Sequence, residues 1–400
     1  MRVVDLIKNT NKTAFSFEVL PPLKGTGIEK LYQAIDTLRE FEPQYINITT
    51  HRSEYVYKEL GNGLFERARL RRRPGTVAVA AAIHNKYNIT TVPHILCSGF
   101  SREDIEYVLL DLQFLNITDL LVLRGDKAKH ESTFVPEPNG PTHALELAEQ
   151  INDFNRGVFV DGSPIKVTNT PFSYGVACYP EKHEEAPNLE QDIYWLKKKV
   201  EAGAEYAVTQ LFYDNRKYFE FVKKVREAGI NIPIIPGIKP FRKQSQLTVI
   251  PKTFKVDIPQ ELAQEVLKCQ TEEETEALGV EWCIHQCKEL IEHGVAFETT
   301  CDTEVILKGY AVWGIEIAKR LNGIFAFGVW EEKAKRLILC RDRLGVKPLF
   351  YMIHGEEVIF ASEIKAMLAY DKKIATVDRD GLCELLALGP AHTCGKTVYQ

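Results

Sequence analysis

Short strand-like runs alternate with helix-like segments from Thr13 to Gly294, and this alternation stops near Val295. Beyond Cys301 the strand-like runs follow one another closely, with no helices between them. The chain has 400 residues, which is more than one hydrophobic core usually serves. The sequence therefore predicts two regions of different fold, a first domain over 1–299 and a second over 300–400.

The first region has eight strand candidates, each short, apolar and rich in β-branched or aromatic residues. They are 13–20, 45–50, 91–97, 119–124, 173–179, 206–212, 232–238 and 295–299. Helical patterns lie between them, including 28–41, 101–115, 188–202, 215–228 and 272–292. The segment 76–87 fits a strand or a helix, and its alanines and the possible cap Thr76 favour a helix. Eight strands with intervening helices predict an α/β fold of the (β/α)₈ TIM-barrel type.

Polar residues at the strand exits are the candidates for chemistry, because active sites of parallel barrels lie at that end. They are Glu18, Thr49, Arg124, Asp126, Tyr179, Gln210 and Lys239. Glu18 stands among aromatic and aliphatic residues, where loss of solvent would raise its carboxyl pKa and suit it to general acid catalysis. An acid simply exposed at the strand end is an equally open interpretation.

Charge argues against nucleic acid as a partner. The formal net charge is -5, and the basic run of Arg67, Arg69 and Arg71 to Arg73 is local and has no aromatic platform beside it. We interpret this run as the solvated end of a helix, with phosphate contact as the minor alternative.

The nine cysteines form no regular framework, which favours a reduced, intracellular compartment. Cys283 and Cys287 lie one helical turn apart, and no second pair completes a tetrahedral metal site, so we interpret them as small buried helix residues and predict no metal. Neither a signal-like N-terminus nor eighteen consecutive apolar residues is present. The expected location is cytoplasmic, without membrane contact.

Six motifs occur in order before Gly294. They are SFEVLPP at 16–22, VPHILC at 92–97, LRGD at 123–126, YPEKHEEAP at 179–187, LKKKVEAGAEYAVTQLFYD at 196–214 and IPIIPGIKP at 232–240. This set resembles methylenetetrahydrofolate reductase. The resemblance implies a flavoprotein barrel that passes a hydride from NADH or NADPH to FAD and then to 5,10-methylenetetrahydrofolate. The product, 5-methyltetrahydrofolate, belongs to one-carbon metabolism and methionine biosynthesis, and homo-oligomers are common in the family.

The resemblance also assigns roles to individual residues. Glu18 matches the general acid of the family, and Asp126 matches an aspartate beside flavin and folate that tunes both. Gln210 and, with a less secure alignment, Gln246 match positions that contact the folate. The positions that match FAD-binding residues are Thr49, His94, Arg124, Gly125, Asp126, Tyr179, His183, Asp192, Lys198 and Lys199.

The last hundred residues depart from this pattern. CDTEVILKGYAVWG at 301–314, RLNGIFAFGVWE at 320–331, LCRDRLGVKPLFY at 339–351 and FASEIKAML at 360–368 resemble the glutaminase domain of asparagine synthetase. The resemblance implies part of an α+β N-terminal-nucleophile fold of antiparallel sheets, with strands at 323–331, 336–341 and 349–353 and a turn at 333–335. Such a domain needs an N-terminal cysteine nucleophile. Cys301 is internal and does not match it, whereas Asp302 matches the residue that holds the amino group of glutamine.

Three hypotheses follow from the two resemblances. The first is a reductase barrel with a foreign C-terminal segment. The second is a non-catalytic chimera, whose barrel closes only if 295–299 supplies the eighth strand, because open parallel edges are costly. Glutamine amide transfer ranks last, since the nucleophile is missing.

Overall fold

The computed structural model describes residues 2–9, 13–127, 131, 133–164, 166, 170–293, 302–332, 334–370 and 376–388. The chain divides into two compact units, Met1–Ile291 and Glu292–Gln400. The strands of the first unit in the described residues are β1 Ser16–Val19, β2 Tyr45–Ile48, β3 Glu54–Gly61, β4 Leu64–Leu70, β5 Thr90–Leu96, β6 Asp119–Leu123, β7 Ser173–Cys178, β8 Tyr206–Thr209 and β9 Ile234–Ile235.

Seven of these strands form one parallel sheet in the order β1-β2-β5-β6-β7-β8-β9. Each coincides with a predicted strand, and the α/β expectation is confirmed. β9 is only two residues long where 232–238 was expected, because Pro233 and Pro236 cannot donate to a strand ladder. The predicted strand 295–299 lies outside the described residues.

Helices accompany the strands along the chain. They are α1 Val3–Lys8, α2 Glu29–Leu38, α3 Thr76–Tyr87, α4 Arg102–Phe114, α5 Ala144–Asn155, α6 Leu189–Glu201, α7 Asn215–Glu227, α8 Gln246–Phe254, α9 Gln260–Lys268 and α10 Glu272–His293. Side-chain caps fix several starts. Ser101 accepts from the Asp104 N–H at 3.1 Å before α4, and Asn188 accepts from the Gln191 N–H at 2.9 Å before α6. None of the described helices has both the length and the apolar character needed to cross a membrane.

The prediction of a helix at 76–87 is confirmed, but Thr76 does not cap it. Gly75 occupies the cap position, and the Thr76 hydroxyl donates to the Ile48 carbonyl at 3.2 Å. This bond ties the start of α3 to the exit of β2. The threonine therefore positions the helix on the sheet.

The interpretation of the basic run as a helix end is wrong. Residues 67 and 69 lie in β4, which pairs with β3 as an antiparallel hairpin, and 71–73 follow it. The hairpin closes through Asn62 and Gly63, whose φ angles of 53° and 77° fit a two-residue turn with positive φ at both positions. The Asn-Gly pair is the sequence signal for this hairpin.

Two apolar clusters flank the sheet. The larger lies between the sheet and its helices and includes Ile46, Val122 and Val176. The smaller collects Tyr45, Val92, Leu121 and Tyr206 from four different strands, together with Val3 of α1. Side chains from several strands meeting on the inner face are typical of a curled, barrel-type parallel sheet.

The second unit contains helices and antiparallel hairpins. Its described elements are α11 Asp302–Trp313, α12 Ile317–Arg320, β10 Ala326–Glu331, β11 Arg336–Arg341, β12 Phe350–His354, β13 Glu357–Ala361, α13 Ile364–Tyr370 and α14 Arg379–Leu388. β10 pairs with β11 and β12 pairs with β13. The three predicted strands are confirmed, while the predicted turn at 333–335 lies partly outside the described residues.

Candidate active site

The exits of neighbouring parallel strands place the predicted residues at one end of the sheet. Backbone bonds continue the ladder just beyond the strands, from the Thr49 N–H to the Val19 carbonyl at 3.1 Å and from the Ser98 N–H to the Arg124 carbonyl at 2.9 Å. The Gln210 N–H donates to the Cys178 carbonyl at 2.9 Å in the same way. The exit loops are therefore held by the sheet itself.

Glu18 is the third residue of β1 and lies at this end. Its side chain is 59% exposed, and yet desolvation by the surrounding protein raises its carboxyl pKa, with the charge of Lys239 acting in the opposite direction. A carboxyl group that is open to solvent on one side can still be partly desolvated by protein on the other. Both features considered for Glu18 are therefore present, exposure at the strand end and a raised carboxyl pKa. Lys239 follows β9, the strand at the other end of the sheet order.

His94 of β5 lies beside Glu18, with its Nε2 atom 3.9 Å from Oε2 of the carboxyl. The imidazole is 5% exposed, and burial lowers its pKa to about 3, which keeps it neutral at physiological pH. Its Nε2 is buried and has no hydrogen-bond partner among the described residues. Because an unpaired buried polar atom is costly, this nitrogen is suited to bind a ligand group.

The loop after β6 carries Arg124, Gly125 and Asp126. Gly125 has φ of +80°, and a Cβ there would come within 2.9 Å of the Ser98 Cβ, so the position requires glycine. Ser98 donates its hydroxyl to the Asp126 carbonyl at 2.7 Å, and the Arg124 guanidinium pairs with Glu185. These contacts fix the loop backbone, while the Asp126 side chain is exposed.

A second group of predicted residues lies where β7 ends and α6 passes. The Tyr179 and His183 rings lie 4.7 Å apart, and the His183 N–H donates to Asp192 Oδ2 at 2.6 Å. Lys199 donates to the Ala177 carbonyl at 2.8 Å. Desolvation is the largest cause of each shift here: it raises the pKa of Asp192, lowers that of Lys199, and lowers that of His183 to about 4.

Three predicted residues make other contacts. Lys198 pairs with Glu201 at 2.7 Å on the outer side of α6. The Gln210 side-chain oxygen accepts from the neighbouring Leu211 N–H at 3.0 Å. The Gln246 side-chain oxygen accepts from the Arg242 and Lys243 N–H groups, so in this structure it closes the loop before α8.

Sequence reasoning did not single out Arg52 and Ser98. The Arg52 Nη1 atom donates to Ser98 Oγ at 3.1 Å, and this serine holds the loop of Asp126. Ser98 directly follows the VPHILC motif at the β5 exit, which is the signal that could have identified it. Two cavities of about 210 and 200 Å³ lie away from these strand exits, near Trp282 and near Phe159.

The sheet and its exit residues agree with sequence comparison. The profile of the methylenetetrahydrofolate reductase family matches residues 2–300. The chain belongs to the methylenetetrahydrofolate reductase family. Methylenetetrahydrofolate reductase (NADH) 1 of Arabidopsis thaliana is 33% identical over 309 residues, which cover 74% of this chain and 47% of the relative.

A second relative, methylenetetrahydrofolate reductase 1 of Schizosaccharomyces pombe, is 30% identical over 286 residues, or 71% of this chain and 42% of the relative. The chain thus spans less than half the length of these two relatives.

The C-terminal part resembles a different family, as expected. A profile described as a glutamine amidotransferase domain matches residues 257–400 and so overlaps the reductase match over 257–300. Asparagine synthetase (glutamine-hydrolyzing) 3 of Bacillus subtilis is 50% identical over 113 residues, which are 28% of this chain and 18% of that protein. Of the two residues considered for glutamine chemistry, Asp302 begins α11 and Cys301 lies outside the described residues.

Proposed function

We propose that this chain binds FAD at the strand exits and reduces 5,10-methylenetetrahydrofolate to 5-methyltetrahydrofolate with a hydride from NADH or NADPH. Family membership supports the reaction class. The observation that carries the proposal is Glu18, an acid with raised pKa, 3.9 Å from a buried neutral His94 at the exits of parallel strands.

Several features fit FAD. His94 offers an unpartnered buried nitrogen, and the positive φ of Gly125 sets the path of the loop between Arg124 and Asp126. Arg124 and Lys199 add positive charge that suits a pyrophosphate. The residues proposed to hold FAD are Thr49, His94, Arg124, Gly125, Asp126, Tyr179, His183, Asp192, Lys198 and Lys199, with Lys198 less favourably placed because of its bond to Glu201.

Bound flavin would supply hydride transfer, and the protein would supply binding and proton control. Glu18 with a raised pKa retains its proton nearer neutrality than an ordinary carboxylic acid does. We propose that it donates this proton to the folate nitrogen that leaves the methylene bridge, which opens the bridge to an iminium. Neutral His94 adds no positive charge that would lower the Glu18 pKa.

Asp126 would place a negative charge near the substrate. Its backbone is fixed through Ser98, while its side chain remains exposed. A carboxylate held there would favour the cationic iminium by electrostatic attraction. Gln210 and Gln246 are proposed folate contacts, and each would have to exchange its present backbone hydrogen bond for one to the pterin.

The proposal concerns the first domain, 1–299, and assigns no glutaminase activity to a second domain of 300–400. Folate is the proposed partner, and homo-oligomer formation and a cytoplasmic location stay predictions. The test uses Glu18→Gln in the full chain loaded with FAD. Flavin bleaching by NADH should proceed at the wild-type rate, and reoxidation by methylenetetrahydrofolate should slow roughly 10²- to 10⁴-fold, the usual contribution of general acid catalysis.

Glu205→Gln is the matched control, because Glu205 lies at the opposite end of the sheet, paired with Arg2 at 3.2 Å. This variant should leave both half-reactions unchanged. Equal rates of folate-driven reoxidation in Glu18→Gln and wild type would remove Glu18 from the mechanism. A colourless protein that takes up no flavin would remove the proposed function altogether.

A further inference from the structure

The two cysteines of α10 form a second candidate site, which includes none of the strand-exit residues. Cys283 and Cys287 are four residues apart on this helix, so their side chains lie on the same face one above the other. Both are free and half-buried, which leaves them within reach of small solutes. Their thiols share a hydrogen bond, which lowers the pKa of Cys287 to about 7 and raises that of Cys283.

The first cysteine of the pair lies close to the loop that follows β8. Cys283 lies near Tyr213, and the hydroxyl of this tyrosine is buried without a hydrogen-bond partner in the described part of the chain. Trp282 beside it donates its indole N–H to the Tyr213 carbonyl at 3.2 Å. Cys283 therefore lies beside the residues that hold the loop following Gln210.

The separation of the two Cβ atoms distinguishes a direct disulfide from an ion that bridges the two sulfurs. Residues four apart on a helix have Cβ atoms about 5–6 Å apart, whereas a disulfide needs about 3.5–4.5 Å. A direct S–S bond would therefore unwind a turn in the middle of α10. An ion bound to both sulfurs at about 2.3 Å each tolerates a wider separation and leaves the helix intact.

The number of available protein ligands indicates which kind of metal ion the pair could bind. Among the residues that the structure describes, no group of three or more His, Cys, Asp or Glu side chains is arranged to hold a metal. Zinc takes four ligands in structural sites, so two thiolates do not satisfy it. Soft thiolates favour Cu(I), which accepts two sulfur ligands.

We propose that Cys283 and Cys287 form a two-sulfur chelating site for a soft, thiophilic cation of the Cu(I) type. Binding forms two S–Cu bonds and releases the two thiol protons, with no change in oxidation state. The site does not depend on the reductase activity.

The test is anaerobic titration of the purified full chain with Cu(I) presented by a chromophoric chelator. Wild type should withdraw one Cu(I) that is lost from both Cys283→Ser and Cys287→Ser, with affinity at least about 100-fold weaker, as expected when a chelate loses one arm. Cys269→Ser is the matched control, a half-buried cysteine in the same unit, and should bind as wild type does.

Phenylarsine oxide gives an independent readout, because one arsenic captures two neighbouring thiols. Wild type should lose two titratable thiols per arsenic bound, and each serine variant should lose this capture while its circular dichroism stays unchanged. Unaltered Cu(I) affinity in both serine variants would overturn the proposal. A loss confined to one variant would also overturn it, since it would indicate a single-thiol site.

Discussion

The two units of the chain differ in how far their strands are buried. All four residues of β2 are buried, as are six of the seven in β5, whereas β12 and β13 contain no buried residue. Ile353 of β12 is 70% exposed and Leu344 is 89% exposed. An isolated two-stranded sheet is marginal in water without further strands or a helix against its face. The parallel strands of the first unit therefore build a core, whereas the β12–β13 hairpin contributes no buried residue.

Hydrogen exchange should give the largest contrast between the units. Strand amides of β5 and β6, such as those of Ile95 and Val122, should exchange only through global opening of the first unit. Amides of Met352 and Ile359 in the exposed hairpin should exchange through local opening, at least about 100-fold faster. The measurement is native-state exchange followed by mass spectrometry of the peptides. Equal protection of the amides in the two units would show that the second unit unfolds as cooperatively as the first, which would contradict the expected difference.

Matched isoleucine truncations should separate the units by stability. Ile46→Ala removes a fully buried side chain and should lower the free energy of unfolding by about 2–5 kcal/mol. Ile353→Ala removes a side chain that already faces solvent and should change it by less than about 0.5 kcal/mol. Denaturant unfolding of both variants against wild type measures the two changes. A loss above 1 kcal/mol in Ile353→Ala would mean that this hairpin packs against something in solution.

Within the first unit, the parallel strands were predicted better than the β3–β4 hairpin, for a physical reason. Buried parallel strands are continuous apolar runs, so seven of them were recognisable, and Pro233 and Pro236 account for the shortening of β9. The β3–β4 hairpin was missed because its Asn62-Gly63 turn lies between charged strands, where the arginines suggested a solvated helix end. Local composition outweighed the turn signal there.

The sequence proposed the members of the candidate site but not their contacts. Motifs identified Glu18, His94 and Asp126, and strand order explains why they share one end of the sheet. No sequence pattern indicates that Gln246 binds the Arg242 and Lys243 N–H groups or that Ser98 holds the Asp126 loop, since these depend on loop conformation.

The smallest contrast concerns two buried aspartates with opposite pKa shifts. Asp119 of the first unit is 4% exposed, and desolvation raises its pKa to about 6, although it accepts the Val3 N–H at 2.8 Å. Asp342 of the second unit is 6% exposed, and its pKa is lowered because backbone N–H groups of Lys347, Val346 and Leu344 donate to it. Burial thus disfavours the ionised form of Asp119, whereas backbone hydrogen bonds favour the ionised form of Asp342.

The direction in which each aspartate changes the folding stability with pH follows from proton linkage. Because the pKa of Asp119 is raised by folding, the folded first unit binds more protons than the unfolded chain between about pH 4 and 6. Its stability therefore falls as pH rises through that window, by at most about 3 kcal/mol. Asp119→Asn keeps an acceptor for Val3 and removes the charge, so it should flatten this dependence and raise the Tm above pH 6. The ionised Asp342 carboxylate stabilises the folded second unit above the ordinary pKa of an aspartate, and this stabilisation is lost as the solution becomes more acidic. Asp342→Asn should therefore lower the stability at neutral pH. Calorimetric scans from pH 3 to 8 measure both variants, and equal pH slopes for Asp119→Asn and wild type would show that the Asp119 carboxylate is hydrated in solution.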